Sequence, residues 1–195
     1  MRKKLGSWVS SNADLFRYIG EIPQLKAGAE RVLLSGRVAS YLASSIASIY
    51  PGCEIIAVDA DSDTLDDAKS EFEDMISECT LFNKYHGTMF DVALSALEIE
   101  TLNTRELTPY LFNLYDSLKA EGVLYLSFPD AVAPTVMEKN LYPAWYDENE
   151  MIYTKYYMAG DVANALSMIG FDIKAMEADM NGDLLHVVTI IAQKR

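Results

Sequence analysis

The chain has 195 residues, of which 50% are hydrophobic and 23% are charged, a composition typical of one folded globular domain with a sizeable core. Its formal net charge of −13 would repel nucleic-acid phosphates and anionic membrane surfaces, and no stretch is apolar for long enough to span a bilayer. We therefore expect a small molecule or another protein as the ligand, with no nucleic-acid or membrane partner.

The cysteines and the amino-terminal residues indicate the cellular compartment of the protein. Cys53 and Cys79 lack the paired spacing of a zinc site or a disulfide framework, so we expect two buried thiols and no metal. The amino-terminal stretch is basic, but Ser7 and Ser10 interrupt any apolar core, which argues against a secretory signal. The sequence therefore predicts a cytoplasmic protein.

Apolar runs alternate with helical patterns from Arg31 onward. Residues 1–30 are interpreted as an N-terminal helical segment, with a helix over Ala13–Ile19, and residues 31–195 as one domain. The alternation predicts a Rossmann-like, doubly wound α/β fold with four or five parallel strands. The predicted strands are Arg31–Ser35, Glu54–Val58, Thr80–Asn83, Phe90–Ala96 and Val123–Phe128. The predicted helices are Val38–Tyr50, Ser62–Ser77, Thr108–Leu118 and Asp161–Ile169.

The end of the chain predicts an antiparallel hairpin. Asn181 and Gly182 form the dipeptide most suited to a tight turn, and they separate the runs Phe171–Met176 and Leu184–Ala192, although the linker is long enough for a looser loop. Ahead of this hairpin, Pro129–Tyr157 is a long irregular insertion, and such loops are usually functional lids or disordered.

Gly36 stands alone in the turn between the first predicted strand and helix. A dinucleotide-binding turn carries further glycines, which let the backbone approach a pyrophosphate, but Val38 and Tyr41 occupy those positions here. The turn therefore favours a nucleoside ligand without a pyrophosphate. Asp59 ends the second strand 23 positions after Gly36, close to the interval of about 20 at which an acidic residue holds ribose hydroxyls. Capping of the next helix is its alternative role.

Together these segments resemble the class I S-adenosylmethionine-dependent methyltransferases. "RVLLSGRVASYLA" is similar to the first motif of that family, "EIIAVDADSDTLDDAK" to the second, and "FDVALSALEIETL" to the fourth strand. The antiparallel ending agrees with the same family. The resemblance implies that S-adenosylmethionine is the cofactor and that it contacts Ser35, Gly36, Arg37, Asp59, Ala60, Asn83 and Ser95.

The chain departs from the family at the first motif. The family usually carries an acidic residue before the motif glycine and a Gly-x-Gly after it, whereas this chain has Leu34 and Ser35 before Gly36, then Arg37 and Val38. Two interpretations stay open. One is an active transferase of a methyl group, or of another group from the same cofactor, and the other is a non-catalytic, methyltransferase-like subunit that binds or regulates a partner.

Several residues are candidates for catalysis or substrate binding because of where they lie relative to the predicted strands. His86 precedes the fourth strand on the cofactor side and is a candidate base, with an ordinary structural role as the alternative. Ser95-Ala96-Leu97 replaces the Asn/Asp-Pro-Pro-Tyr pattern of enzymes that methylate amino groups of bases and glutamines, which favours other acceptors. Aromatic residues of the insertion form a candidate substrate lid, and the alternatives are a homodimer or protein-partner interface and simple packing. They are Tyr142, Trp145, Tyr146, Tyr153 and Tyr157.

Overall fold

The computed structural model describes residues 18–36, 38–58, 66, 69–70, 76–79, 89–131, 157–181 and 185–195. The strands in these ranges are β1 Arg31–Ser35, β2 Glu54–Val58, β3 Ile76–Cys79, β4 Phe90–Ala96, β5 Leu118–Pro129, β6 Phe171–Asn181 and β7 Leu185–Lys194. The helices are α1 Pro23–Lys26, α2 Ala39–Ile49, α3 Thr104–Ser117 and α4 Ala159–Ile169, with a 3-10 helix at Ile99–Thr101. No helix in the described ranges is long and apolar enough to cross a bilayer.

The described strands form one sheet in the order β3-β2-β1-β4-β5-β7-β6. The first five strands are parallel, whereas β7 is antiparallel to both β5 and β6. The predicted Rossmann-like α/β fold with an antiparallel hairpin is thus confirmed. Asn181 pairs with Leu185 as the last residue of β6, and residues 182–184 lie outside the described part of the chain.

The central strands are buried on both faces, as expected for parallel strands covered by helices. Val32 and Leu34 of β1 pack into the core beneath α1 and α2, while Leu33 between them packs into the opposite core beneath α3 and α4. All three side chains are at most 1% exposed. This double burial explains why β1 reads as a continuous apolar run.

The third strand of the sheet lies where a helix was predicted. It spans Ile76–Cys79, so the helix predicted over Ser62–Ser77 extends too far, and the strand predicted at Thr80–Asn83 lies outside the described residues. Pairing with β2 supplies backbone hydrogen bonds that fix this strand, although only two of its four residues, Ile76 and Cys79, are apolar. The acidic helical pattern therefore masks the strand in the sequence.

Helix α3 begins at Thr104, four residues before the predicted start at Thr108. The Asn103 side chain accepts hydrogen bonds from the N–H groups of Arg105 and Glu106, and the Glu106 carboxylate accepts one from the Asn103 N–H. This capping box satisfies the free N–H groups of the first turn and starts the helix early. Pro109 consequently lies inside the helix.

The described part of the N-terminal segment packs against the domain. Residues 18–21 form a 3-10 turn ahead of α1. Ile19, Ile22 and Leu25 are buried in the same core as α2. Most of the helix predicted at Ala13–Ile19 lies outside the described residues, and the division at residue 30 remains a prediction.

Candidate functional site

The candidate site lies at the carboxyl ends of β1 and β4. Strand β1 is flanked by β2 on one side and by β4 on the other, so the chain order reverses across it. Open α/β sheets bind ligands in the crevice at such a reversal. Ser35, the last residue of β1, pairs with Val58 of β2 and Ser95 of β4, so the segments that follow all three strands leave the sheet at this edge.

Gly36 leaves β1 in a conformation that only glycine adopts readily. Its φ is 105°, and a Cβ atom built on it would lie 2.9 Å from the Ala96 carbonyl oxygen and 3.0 Å from the Glu98 Cβ. The Gly36 N–H also donates to the Val58 carbonyl, at 3.4 Å, and its own carbonyl accepts from the Ala39 N–H, at 3.0 Å. This glycine therefore links the ends of β1 and β2 to the start of α2, close against the end of β4.

The chain reverses just after β4. Leu97 has a φ of 54°, a left-handed conformation that costs about 1–2 kcal/mol for a residue with a side chain. Its N–H donates to the Ser127 carbonyl of β5 at 2.9 Å, which holds the turn in place. The reversal brings Glu98 back over Gly36, with the Glu98 Oε2 3.4 Å from the ideal Cβ position of the glycine.

A hydroxyl network lies directly beneath this edge. The Tyr110 hydroxyl of α3 lies 2.9 Å from the Ser35 Oγ and 2.7 Å from the Ser95 Oγ. Both serines are buried, at 1% and 0% exposure. Their contact with a cofactor remains a prediction. No motif in the sequence identifies Tyr110, because its role arises from tertiary packing.

Val38 and Tyr41 occupy the positions where a dinucleotide-binding turn has glycines. Val38 is fully buried in the core cluster that includes Leu34 and Ala96, so its side chain packs inward. Tyr41 is half-buried on α2. The Val38 side chain therefore packs the turn against the core.

A second polar cluster lies near the carboxyl end of β5, where Ser127 pairs with Thr189 of β7. The Ser127 Oγ is 3.2 Å from the Tyr18 hydroxyl and 2.9 Å from the Thr189 Oγ1. The Tyr18 ring stacks on Tyr125, with 5.8 Å between centroids. Burial raises the pKa of each tyrosine to about 12, so both hydroxyls are protonated at neutral pH and neither is a ready base.

Tyr157, a predicted lid residue, has the contacts of a core side chain. It is 7% exposed, and its hydroxyl donates to the Leu102 carbonyl at 2.9 Å. Its backbone bridges to Asp130, whose carboxylate also accepts from the Ala159 N–H at the start of α4. These contacts join the two ends of the insertion and agree with the packing alternative; a part in a lid remains a prediction.

The other predicted site residues lie outside the described part of the chain. For the cofactor they are Arg37, Asp59, Ala60 and Asn83, for catalysis His86, and for the lid Tyr142, Trp145, Tyr146 and Tyr153. Of the predicted thiols, Cys53 is buried, and burial together with the neighbouring Asp91 and Glu54 carboxylates raises its pKa to about 11. Among the described residues, no group of His, Cys, Asp and Glu could hold a metal ion.

No family model and no curated protein matches this chain, but solved structures do. An O-methyltransferase family protein from Burkholderia thailandensis matches 95% of the chain with a TM-score of 0.75 and 14% identity. The 1,6-didemethyltoxoflavin-N1-methyltransferase of the same organism, with bound 1,6-didemethyltoxoflavin and S-adenosylhomocysteine, matches 97% with a TM-score of 0.72 and 14% identity. Magnesium protoporphyrin IX methyltransferase from Synechocystis, with bound S-adenosylhomocysteine, matches 99% with a TM-score of 0.65 and 15% identity.

The coverage of these structures differs. The chain spans 57% of the first structure, 82% of the second and 81% of the third. At such low identity the similarity concerns the fold. The chain has the fold of the S-adenosylmethionine-dependent methyltransferases, which confirms the predicted resemblance at that level.

Proposed function

We propose that this protein is an S-adenosylmethionine-dependent methyltransferase that acts on a small molecule. The observation that carries the proposal is the junction of β1 and β4, where Gly36 and Glu98 meet in the ligand crevice of the fold. Two proteins of the same fold contain bound S-adenosylhomocysteine, the demethylated form of this cofactor.

The residues of this junction suit such a cofactor. Its sulfonium and ammonium groups are cationic, and Glu98 offers a carboxylate beside the turn. We assign Gly36 to the amino-acid part, Asp59 to the ribose and Asn83 to the adenine. Ser35, Arg37, Ala60 and Ser95 complete the proposed contacts.

Little further chemistry is required of the protein. The bound cofactor supplies an activated methyl group, and the chain's own residues orient the acceptor and exclude water. A base is needed only if the acceptor must lose a proton, and His86 is the candidate. We also propose a cytoplasmic location, which is supported by the small number of cysteines and by the buried thiol Cys53.

A non-catalytic binding subunit is the second candidate. It is favoured by the first motif, in which Leu34 and Val38 are core residues where the family usually has an acid and a glycine. The two candidates differ in turnover, because only an enzyme demethylates S-adenosylmethionine when an acceptor is present.

Titration calorimetry with S-adenosylhomocysteine tests the proposal. We expect saturable binding to the wild-type protein, and at least about tenfold weaker binding to Asp59→Ala, because one charged hydrogen bond accounts for that much. Asp116→Ala, an exposed change on α3, is the control and should bind like the wild type. NAD and NADP should not bind. A wild-type protein without affinity for S-adenosylhomocysteine would contradict the proposal.

The insertion requires a separate test, because we propose it as a lid over the substrate. Replacing Trp145 and Tyr146 with Ala should abolish turnover in an unchanged oligomer. If the same variant instead dissociates an oligomer, the aromatic residues form a subunit interface and the lid is ruled out.

A further inference from the structure

Leu34 stands where the methyltransferase family usually carries an acidic residue, two positions before the motif glycine. In this chain Leu34 is 0% exposed and packs in an apolar core with Ile55 and Val92. A carboxylate in that environment would be strongly destabilising. The position of Leu34 therefore supplies no negative charge to a cationic ligand.

Among the described residues, Glu98 is an acidic side chain that the fold brings against Gly36. It lies two residues beyond β4, and the left-handed Leu97 turns the chain so that the Glu98 Cβ and Oε2 are 3.0 and 3.4 Å from the ideal Cβ position of Gly36. The Thr101 N–H and hydroxyl both donate to the Glu98 carbonyl, at 2.9 and 2.7 Å. The backbone of Glu98 is thus fixed while its side chain is only half-buried.

We infer that Glu98 binds the α-ammonium group of the cofactor's amino-acid end and so replaces the acidic residue absent at Leu34. The inference rests on the proposed function and names a residue within the same site. A carboxylate accepts hydrogen bonds from an ammonium group, and such charged bonds are stronger than neutral ones. Glu100 is less suited, because it is 4% exposed within the 3-10 helix.

The test compares two ligands that differ in the amino-acid end. S-adenosylhomocysteine carries the ammonium group, whereas 5′-methylthioadenosine has the same nucleoside and sulfur but no amino acid. The variants are Glu98→Gln, which keeps the shape and removes the charge, and Glu177→Gln, a control at an exposed position of β6. Binding is measured by calorimetry, with thermal unfolding to compare stability.

Glu98→Gln should weaken the binding of S-adenosylhomocysteine about ten- to a hundredfold, as expected for the loss of one charged hydrogen bond. The same change should alter the affinity for 5′-methylthioadenosine less than about threefold. Glu177→Gln should change neither affinity. An equal loss for both ligands, or none for S-adenosylhomocysteine, would overturn the role of Glu98 while leaving the proposed function intact. If the wild type binds neither ligand, the proposed function and the inference both fail.

Discussion

The two ends of β4 differ in how the protein uses them. At the amino end, the Asp91 carboxylate accepts the N–H groups of Glu30 and Arg31, at 3.0 and 2.9 Å, and the Lys119 ammonium group, at 2.7 Å. At the carboxyl end, Leu97 is held in a left-handed conformation and Gly36 has no room for a side chain. Strained conformations concentrate where function requires them. The amino end therefore secures the fold, and the carboxyl end is where we propose that the ligand binds.

A glycine at each end makes this contrast measurable. Gly36 and Gly28 both have positive φ, 105° and 90°, but a Cβ atom on Gly28 would meet nothing within 4 Å. Gly36→Ala should lower the free energy of unfolding by about 2–5 kcal/mol, from backbone strain plus overlap with Ala96. Gly28→Ala should cost only the strain, about 1–2 kcal/mol. Urea denaturation measures both, and equal losses would show that the carboxyl end is not unusually tight.

Removing the charge of Asp91 tests the amino end. Asp91→Asn should lower the free energy of unfolding by about 1–3 kcal/mol at neutral pH, because three donors lose a charged acceptor. It should leave S-adenosylhomocysteine affinity unchanged. A variant of normal stability that binds the ligand poorly would reverse the roles assigned to the two ends.

The same residue predicts a pH dependence. Burial alone would raise the pKa of Asp91, but the Lys119 ammonium and the N–H groups of Arg31 and Glu30 hold the pKa below its ordinary value of 3.8. A lowered carboxyl pKa stabilises the fold above the unfolded value, and this contribution is lost as pH falls through the folded value. The stability gap between wild type and Asp91→Asn should therefore shrink below about pH 4. A gap that stays constant down to pH 2 would argue against the ion pair.

Removing one hydroxyl from the network of Tyr110, Ser35 and Ser95 should give the smallest loss of stability. Tyr110→Phe removes the hydroxyl that bonds Ser35 and Ser95 and should cost about 1 kcal/mol of stability. Tyr115→Phe, on the same helix, should cost less, since its ring contacts with Phe171 and Lys194 remain. If Tyr110 positions the carboxyl end of β4, only Tyr110→Phe should also weaken the binding of S-adenosylhomocysteine. If both variants bind this ligand with the same affinity, Tyr110 has only a packing role.

Strands could be predicted from the sequence where burial on both faces requires a continuous run of apolar residues. β1, β2 and β4 lie in the middle of the sheet, so their residues form apolar runs with the observed bounds. β3 lies at the edge of the described sheet, and its short, mixed sequence gives no such signal. The start of α3 was readable, because Asn103 and Glu106 have capping-box spacing, but Pro109 favoured a later start.

The site was predictable only where a local motif marks it. Gly36 follows from the strand-glycine-helix pattern. Leu97, Glu98 and Tyr110 carry no local signal, because their placement depends on contacts between strands and helices far apart in sequence. A left-handed leucine in particular contradicts local preference, so only the assembled sheet reveals it.

Hydrogen exchange of backbone amides, measured with and without S-adenosylhomocysteine, tests most directly whether the carboxyl end is the ligand site. We expect the ligand to slow exchange at Gly36, Leu97 and Glu98, since a bound molecule would cover and order this turn. Amides of the amino end, at residues 28–31 and 119–122, should exchange as in the free protein. Protection confined to the amino end, or absent from 36 and 97–98 at saturating ligand, would contradict the account.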